Sequence, residues 1–232
     1  MGSFGSVAWS SVGKKVITGL TGFFLLGFVV AHLLGNLTLL LGPGPFNDYA
    51  HLLENLGHGW LVIFMEVGLI AVFLFHIVAG VTVAVRDKAA ARRSRYKYAA
   101  NAGGRSRKTL ASRTMIVSGA VLLFFVIVHV RLFKYGHHEV DAHGVKNLYK
   151  TVVEGFRDPA FAVLTVVSMI VLAFHLRHGF WSAFQSLGWT RDSSLPMLTR
   201  LAVVVAVILS AGFLVIAVAA FTTLDPNAVG GH

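Results

Sequence analysis

The sequence predicts an all-α integral membrane protein that crosses the bilayer five times. Of the 232 residues, 56% are hydrophobic and only 13% are charged, whereas about a quarter of the residues of a soluble domain are charged. The apolar residues gather into five long stretches, and the mean hydropathy is +0.73. None of the five stretches shows the alternation of apolar and polar residues that is typical of an outer-membrane β-strand. The composition therefore argues against a secreted, cytosolic or disordered chain.

Each apolar stretch is nearly free of charge. In chain order the stretches are 16–41, 60–85, 114–130, 160–174 and 201–221. The second contains a single acid, Glu66, and the first and fifth contain no charged residue. A helix needs about 20 apolar residues to cross the ~30 Å hydrocarbon core, and in lipid the backbone must satisfy its own hydrogen bonds. We therefore interpret all five stretches as membrane helices.

The predicted architecture is a single membrane domain, 1–232. Its helices are placed at about 15–41, 60–85, 112–134, 159–186 and 197–223. The first span follows Lys14-Lys15 as a signal peptide would, but it exceeds the about 7–15 apolar residues of a signal-peptide core, and no A-x-A cleavage site closes it. We therefore expect this helix to be retained.

Basic residues outside the spans indicate the orientation. The loop 86–113 contains ten basic residues and one acid, whereas 42–59 contains no Lys or Arg. The positive-inside rule places 86–113, and with it the N-terminus, in the cytoplasm. The loops 42–59 and 135–158 and the C-terminus then lie outside a bacterial cell (inner) membrane. The basic loop could bind anionic lipid headgroups or form a docking surface for a cytoplasmic partner protein. Nothing else in the chain indicates nucleic acid.

Four of the five spans carry a histidine, and the depths of these histidines match in pairs. With a rise of ~1.5 Å per residue, His32 and His129 lie about 25 Å and 24 Å from the inner surface. His76 and His175 lie about 15 Å and 18 Å from it. A histidine in lipid is costly and is a functional-site hypothesis by default. The first and third spans thus offer an outer pair, and the second and fourth an inner pair.

Two histidines that face each other across a bundle are typical axial ligands of haem, and bundles often hold cofactors between facing helices. We predict that the first four helices form a haem-binding four-helix bundle, with the fifth helix peripheral. Zinc or copper would need three or four ligands at one depth. Gly35, Gly80 and Gly179 follow a ligand by three or four residues, so we expect them to leave room for the macrocycle. With no open position on the iron, such haems should transfer electrons.

Either of two histidines of the fourth span, His175 or His178, could be the haem ligand, because both lie on the same face of the helix. The motif Phe-His-x-x-x-Gly occurs at both 75–80 and 174–179, which favours His175. His178 is then an alternative ligand, or a contact of a haem propionate or a quinone. Arg177 is a cation inside the span, and either pairs with a propionate or snorkels to the interface.

Three motifs along the chain resemble those of a known family. They are the string His32-Leu-Leu-Gly-Asn36-Leu, the two Phe-His motifs and the run Gly179-Phe-Trp181-Ser-Ala-Phe-Gln185-Ser-Leu-Gly188. They resemble the cytochrome b558 membrane subunit of succinate dehydrogenase, a five-helix, two-haem class shared with certain fumarate reductases. The resemblance covers essentially all five helices.

The resemblance implies a subunit of respiratory complex II that anchors a flavoprotein and an iron–sulfur subunit at the cytoplasmic face. Electrons from succinate would reach the inner haem b, then the outer haem b, and finally menaquinone or ubiquinone. Carried over by position, His76 and His175 hold the inner haem, and His32 and His129 the outer haem. The chain has no dicarboxylate active site, so its enzymatic role is limited to the quinone-reducing membrane part of the complex.

A quinone site needs a proton donor or acceptor beside a flat apolar slot. Glu54 and Glu66 are candidates near the outer haem. On the inner side the candidates are Trp181, Ser182 and Gln185. Two other functions stay open from the residues alone. One is the cytochrome b of a hydrogenase or formate dehydrogenase, and the other is a proton-coupled transporter, although transporters usually show internal repeats and broken helices.

Overall fold

The computed structural model describes residues 9–87, 114–140 and 146–228. Within these ranges the chain forms seven α-helices, which we name α1 to α7. They are α1 (Ser11–Leu37), α2 (Pro43–Asn55), α3 (Trp60–Thr82), α4 (Met115–Phe133), α5 (Leu148–Arg157), α6 (Pro159–Ser186) and α7 (Leu195–Thr222). Five of these helices are long and apolar enough to cross a membrane, which confirms the predicted all-α membrane fold.

Local signals explain where the helices begin and end. The Ser10 side chain accepts a hydrogen bond from Gly13 N at 3.1 Å at the start of α1, and Asp158 accepts one from Ala160 N at 2.8 Å at the start of α6. Proline stands at the first or second position of α2, α6 and α7, where its missing N–H costs nothing.

The predicted basic loop lies outside the described residues from 88 to 113.

The two short helices α2 and α5 lie in segments that the sequence analysis treated as outer loops. We call the end of the bundle that they cover the outer end, following the predicted orientation. One face of α5 is buried, at positions spaced by three and four residues as on a helix. Its members are Tyr149, Val152, Val153 and Phe156. The segment was missed because it is too short and too polar to be detected as a span.

Polar contacts join α2 to α5. The Asn47 side chain accepts a hydrogen bond from Tyr149 N at 2.9 Å and donates one to Asn147 Oδ1 at 3.1 Å. Burial, with the nearby Asp225 carboxylate, raises the pKa of the Tyr149 phenol. The phenol therefore stays neutral and packs as part of the apolar face of α5.

The four histidine-bearing helices form a four-sided bundle. Around it, α1 packs on α3 and α6, while α4 packs on α6 and, over a short stretch, on α3. Consequently α1 faces α4 diagonally, and α3 faces α6. The fifth span, α7, packs on α6 and α1 from outside. Its buried Ala202, Ala206 and Ser210 allow the close approach that small residues give to membrane helices.

Candidate functional site

The outer histidine pair joins α1 to α4 across the bundle. The ring centres of His32 and His129 lie 5.8 Å apart. Phe28 stacks on His32 at 5.3 Å, and Phe125 lies 5.6 Å from His129. Nδ1 of His129 is buried, with no hydrogen-bond partner within the described part of the chain. This diagonal therefore holds two imidazoles in apolar, aromatic surroundings.

The inner histidine pair joins α3 to α6 across the other diagonal. The ring centres of His76 and His175 lie 6.4 Å apart. Unlike His129, both of these rings have hydroxyl partners. Nδ1 of His76 lies 3.2 Å from Thr21 Oγ1, and Nδ1 of His175 lies 3.0 Å from Ser118 Oγ. Helices α1 and α4 thus support the pair carried by α3 and α6.

The hydroxyl contacts show that the two pairs lie at different levels. Thr21 precedes His32 by eleven residues, and Ser118 precedes His129 by eleven. Eleven residues are close to three helical turns, or about 16 Å. Each of α1 and α4 therefore presents a hydroxyl at the inner level and a histidine at the outer level on the same face. The structure brings together the histidine pairs that the sequence analysis matched by depth.

The pairs have the spacing of two ligands on one metal ion. Metal–imidazole bonds of about 2 Å on opposite sides of an ion place the two ring centres about 6 Å apart. No three His, Asp or Glu side chains converge as a metal site among the described residues, so these donors come in twos. Two imidazoles suit haem iron, whose remaining ligands come from the macrocycle. The donor set thus fits two haems, each held by a pair.

Two glycines that the sequence analysis overlooked border the inner pair. A Cβ at Gly22 would lie 3.4 Å from Cε1 of His76, and a Cβ at Gly119 would lie 3.7 Å from Cε1 of His175. Any larger side chain at either position would press on a paired ring. These glycines therefore keep the α1 and α4 backbones close to the inner imidazoles.

The glycines expected to border the cofactor have other surroundings. A Cβ at Gly35 would lie 2.5 Å from Cε1 of Tyr49, so this glycine admits the α2 ring instead, and the prediction for it is corrected. Gly80 lies beside Thr18 of α1, and Gly179 has no neighbouring atom within 4 Å. Of the three, only Gly179 borders open space.

A repeat in the sequence could have identified Gly22 and Gly119. The glycine of Thr21-Gly22 and that of Ser118-Gly119 each precede a histidine by ten residues, and a phenylalanine precedes that histidine by four residues in both helices. Helices α1 and α4 thus share one motif, just as α3 and α6 share Phe-His-x-x-x-Gly. The hydroxyl-glycine part of the motif lies about three helical turns from the histidine, so the depths of the histidines alone do not reveal it.

A cavity adjoins the inner pair between α4 and α6. Its volume is about 170 Å³, and its lining is almost entirely apolar. It is lined by Thr114, Val117, Ser118, Val121, Val171 and Phe174. Ser118 connects it to the His175 ring. The cavity offers space for part of a flat apolar group beside that ring.

The remaining polar residues of α6 lie away from the pair. The ring of His178 packs edge-on against Trp181, with centres 5.2 Å apart, so it is His175 that faces His76. The Arg177 side chain is exposed on the helix surface, as expected for a residue that snorkels. Near the end of α6, Ser182 is half-buried and Gln185 is exposed.

The two acidic candidates are both ion-paired. Glu66 of α3 pairs with Lys134 at the end of α4, which ties the two least tightly packed helices of the bundle together. Lys134 follows His129 by five residues, so the pair lies near the outer level. Glu54 pairs with Lys146 at 3.3 Å, and both side chains are exposed at the outer end.

Comparison with known families gives one match. A family model described as the succinate dehydrogenase/fumarate reductase transmembrane subunit matches residues 16–104. The match covers most of α1 and all of α2 and α3, including His32 and His76, and ends before α4. Searches of curated proteins and of solved structures gave no significant match. Over these residues, and in having five spans, the chain is similar to the membrane-anchor subunits of the succinate dehydrogenase/fumarate reductase family.

Proposed function

We propose that the chain is a dihaem cytochrome b, which passes electrons from a cytoplasmic iron–sulfur subunit through two bis-histidine haems to a membrane quinone. The observation that carries the proposal is the diagonal pairing of four histidines, at two levels, inside one bundle. The similarity to a transmembrane subunit of succinate dehydrogenase/fumarate reductase supports association with the soluble subunits of such a complex, which we propose are its flavoprotein and iron–sulfur subunits. It favours this function over a hydrogenase or formate dehydrogenase subunit and over a transporter.

The histidines divide between two cofactors. His76 and His175 would hold the inner haem b, and His32 and His129 the outer. When bound, a haem iron with two axial imidazoles supplies one-electron transfer without an open coordination position. The residues around each pair fix the rings. Hydroxyls do so at the inner level, and Phe28 and Phe125 pack on the rings at the outer level and exclude water.

The quinone step needs a proton-handling group near the end of the electron path. We place the quinone head group near the outer level, beside the Glu66–Lys134 pair. Glu66 exchanges the proton with the quinone, and Lys134 is the ion-pair partner that positions its carboxylate. The inner set of Trp181, Ser182 and Gln185 is the alternative, and it lies closer to the iron–sulfur partner.

The haem content of the purified complex tests the proposal. Purified with its soluble partners, each copy of the chain should contain two haems b. A reduced-minus-oxidised spectrum should show a low-spin b-type haem, and haem extraction should give two per chain. The reason is that each histidine pair can occupy both axial positions of one iron. A cofactor-replete complex that contains no haem would contradict the proposal.

Quinone turnover by two single variants distinguishes the outer site from the inner one. We expect Glu66→Gln to lower the rate of quinone reduction at least about tenfold, because a general acid–base group contributes this much or more. Both haems should stay in place. Ser182→Ala, the inner-side control, should change the rate less than about twofold. A normal rate in Glu66→Gln with a strong loss in Ser182→Ala would move the site to the inner level.

A further inference from the structure

We propose that the hydroxyls of Thr21 and Ser118 are positioning groups for the inner histidine pair. This inference rests on the proposed function. The two hydroxyls fix the protonation and orientation of His76 and His175, and they thereby lower the reduction potential of the inner haem relative to that of the outer haem.

The direction of the hydrogen bonds follows from how each hydroxyl uses its single proton. Ser118 Oγ lies 3.0 Å from Met115 O and 3.0 Å from Nδ1 of His175. In the proposed arrangement its proton goes to the Met115 carbonyl, which can only accept, and its oxygen accepts from Nδ1 of His175. A serine hydroxyl has one proton to donate and two lone pairs with which to accept. Nδ1 of His175 therefore carries the proton.

The same reasoning applies to the other inner ring. Thr21 Oγ1 donates to Ile17 O at 2.7 Å and accepts from Nδ1 of His76 at 3.2 Å. Nδ1 of His76 is therefore the donor in the proposed arrangement.

A neutral imidazole with its proton on Nδ1 keeps the lone pair on Nε2. Both inner rings are therefore set to bind a metal through Nε2, before any cofactor arrives. A hydrogen bond from the distal N–H makes a metal-bound imidazole more basic and fixes its orientation. A more basic ligand favours the ferric over the ferrous iron, so these bonds lower the potential of the inner haem.

The outer pair lacks this support at His129. Its Nδ1 is buried and has no hydrogen-bond partner within the described part of the chain. The motif shared by α1 and α4 places its hydroxyl only at the inner level. Ser118 is itself buried, with 7% of its surface exposed, so water does not compete for the bond. The two levels therefore differ in ligand basicity although all four ligands are histidines.

Redox titration of the complete complex tests the inference. Ser118→Ala should raise the potential of the inner haem, shifting its ferric-to-ferrous ratio by about tenfold, which is about 59 mV for one electron. Thr21→Val should have a smaller effect in the same direction, because the Thr21–His76 contact is longer, 3.2 Å against 3.0 Å for Ser118–His175. The outer haem should not shift in either variant. The inner haem is identified as the one lost in His76→Ala.

Matched controls come from hydroxyl residues of the same bundle. Thr18 is one turn before Thr21 on α1, and its hydroxyl donates to Lys14 O at 2.8 Å, so Thr18→Val should leave both potentials unchanged. Ser168 of α6 is fully buried, and its hydroxyl has no hydrogen-bond partner among the described residues, so Ser168→Ala should also leave both potentials unchanged. The conservative Ser118→Thr should restore the normal potential.

The outcomes separate the inference from the function on which it rests. Two haems in the wild type, with no potential shift in Ser118→Ala or Thr21→Val, would overturn the inference and leave the proposed function intact. An equal shift of both haems would also overturn it. Loss of the inner haem from Ser118→Ala but not from Ser118→Thr would support it, and loss from both would contradict it. A wild type without haem would contradict the proposed function itself.

Discussion

Replacing His129 with alanine is expected to remove the outer haem and leave the inner one, and His76→Ala should do the reverse. In each case one axial position loses its ligand, and the remaining imidazole alone cannot hold a low-spin iron in place. Haem extraction should give one haem per chain in place of two. The low-spin signal of one site should disappear from the electron paramagnetic resonance spectrum, while the other stays unchanged.

The choice of ligand on α6 supplies the control. His175→Ala should lose the inner haem, because its ring faces His76 at 6.4 Å between centres. His178→Ala should keep both haems, because that ring packs against Trp181. The opposite result, a haem lost from His178→Ala and kept in His175→Ala, would show that the ligand on this helix is misassigned.

A valine at Gly119 or Gly22 should abolish haem binding at the inner level. A Cβ would already be in van der Waals contact with the His175 ring at 3.7 Å in the first case, and with the His76 ring at 3.4 Å in the second. The two γ-carbons of valine need space beyond that contact, so we expect them to displace the paired ring. We expect Gly119→Val and Gly22→Val to bind one haem per chain, the outer one, as measured by haem extraction.

Gly27→Val is the matched control for this pair of variants. Gly27 lies on α1, between Gly22 and His32, and a Cβ at this position would meet no atom within 4 Å. It should therefore keep both haems. Equal haem loss in Gly27→Val and Gly22→Val would mean that valine weakens α1 as a helix, and would count against the crowding explanation.

Hydropathy and helical rise were sufficient to predict the spans and the histidine pairs. Both depend on properties that lie along one helix, and a shared depth decides which rings can meet. The depth values themselves were less accurate. Thr21, which contacts His76, stands six residues beyond Lys15, or about 9 Å from it. The arithmetic assumed a helix that ends at Arg86, but α3 ends at Thr82 and passes into a π-helical turn, Val83–Asp87.

The contacts between helices were beyond single-span reasoning. Gly35 was assigned to the cofactor, whereas it receives Tyr49 from a short helix that hydropathy did not reveal. The roles of Thr21 and Ser118 depend on which face of α1 and α4 turns toward the neighbouring helix. That rotation is set by packing around the bundle. Only comparison of α1 with α4 would have pointed to these hydroxyls.

The diagonal arrangement bears on how the protein is made. Each pair takes one imidazole from the first half of the chain and one from the second, so neither helical hairpin alone carries a complete set of axial ligands. In the proposed dihaem protein, a haem therefore cannot be bound by both histidines of a pair until α4 has been synthesised for one site and α6 for the other. Haem binding would then be a late step in assembly, and it would link the two halves of the chain.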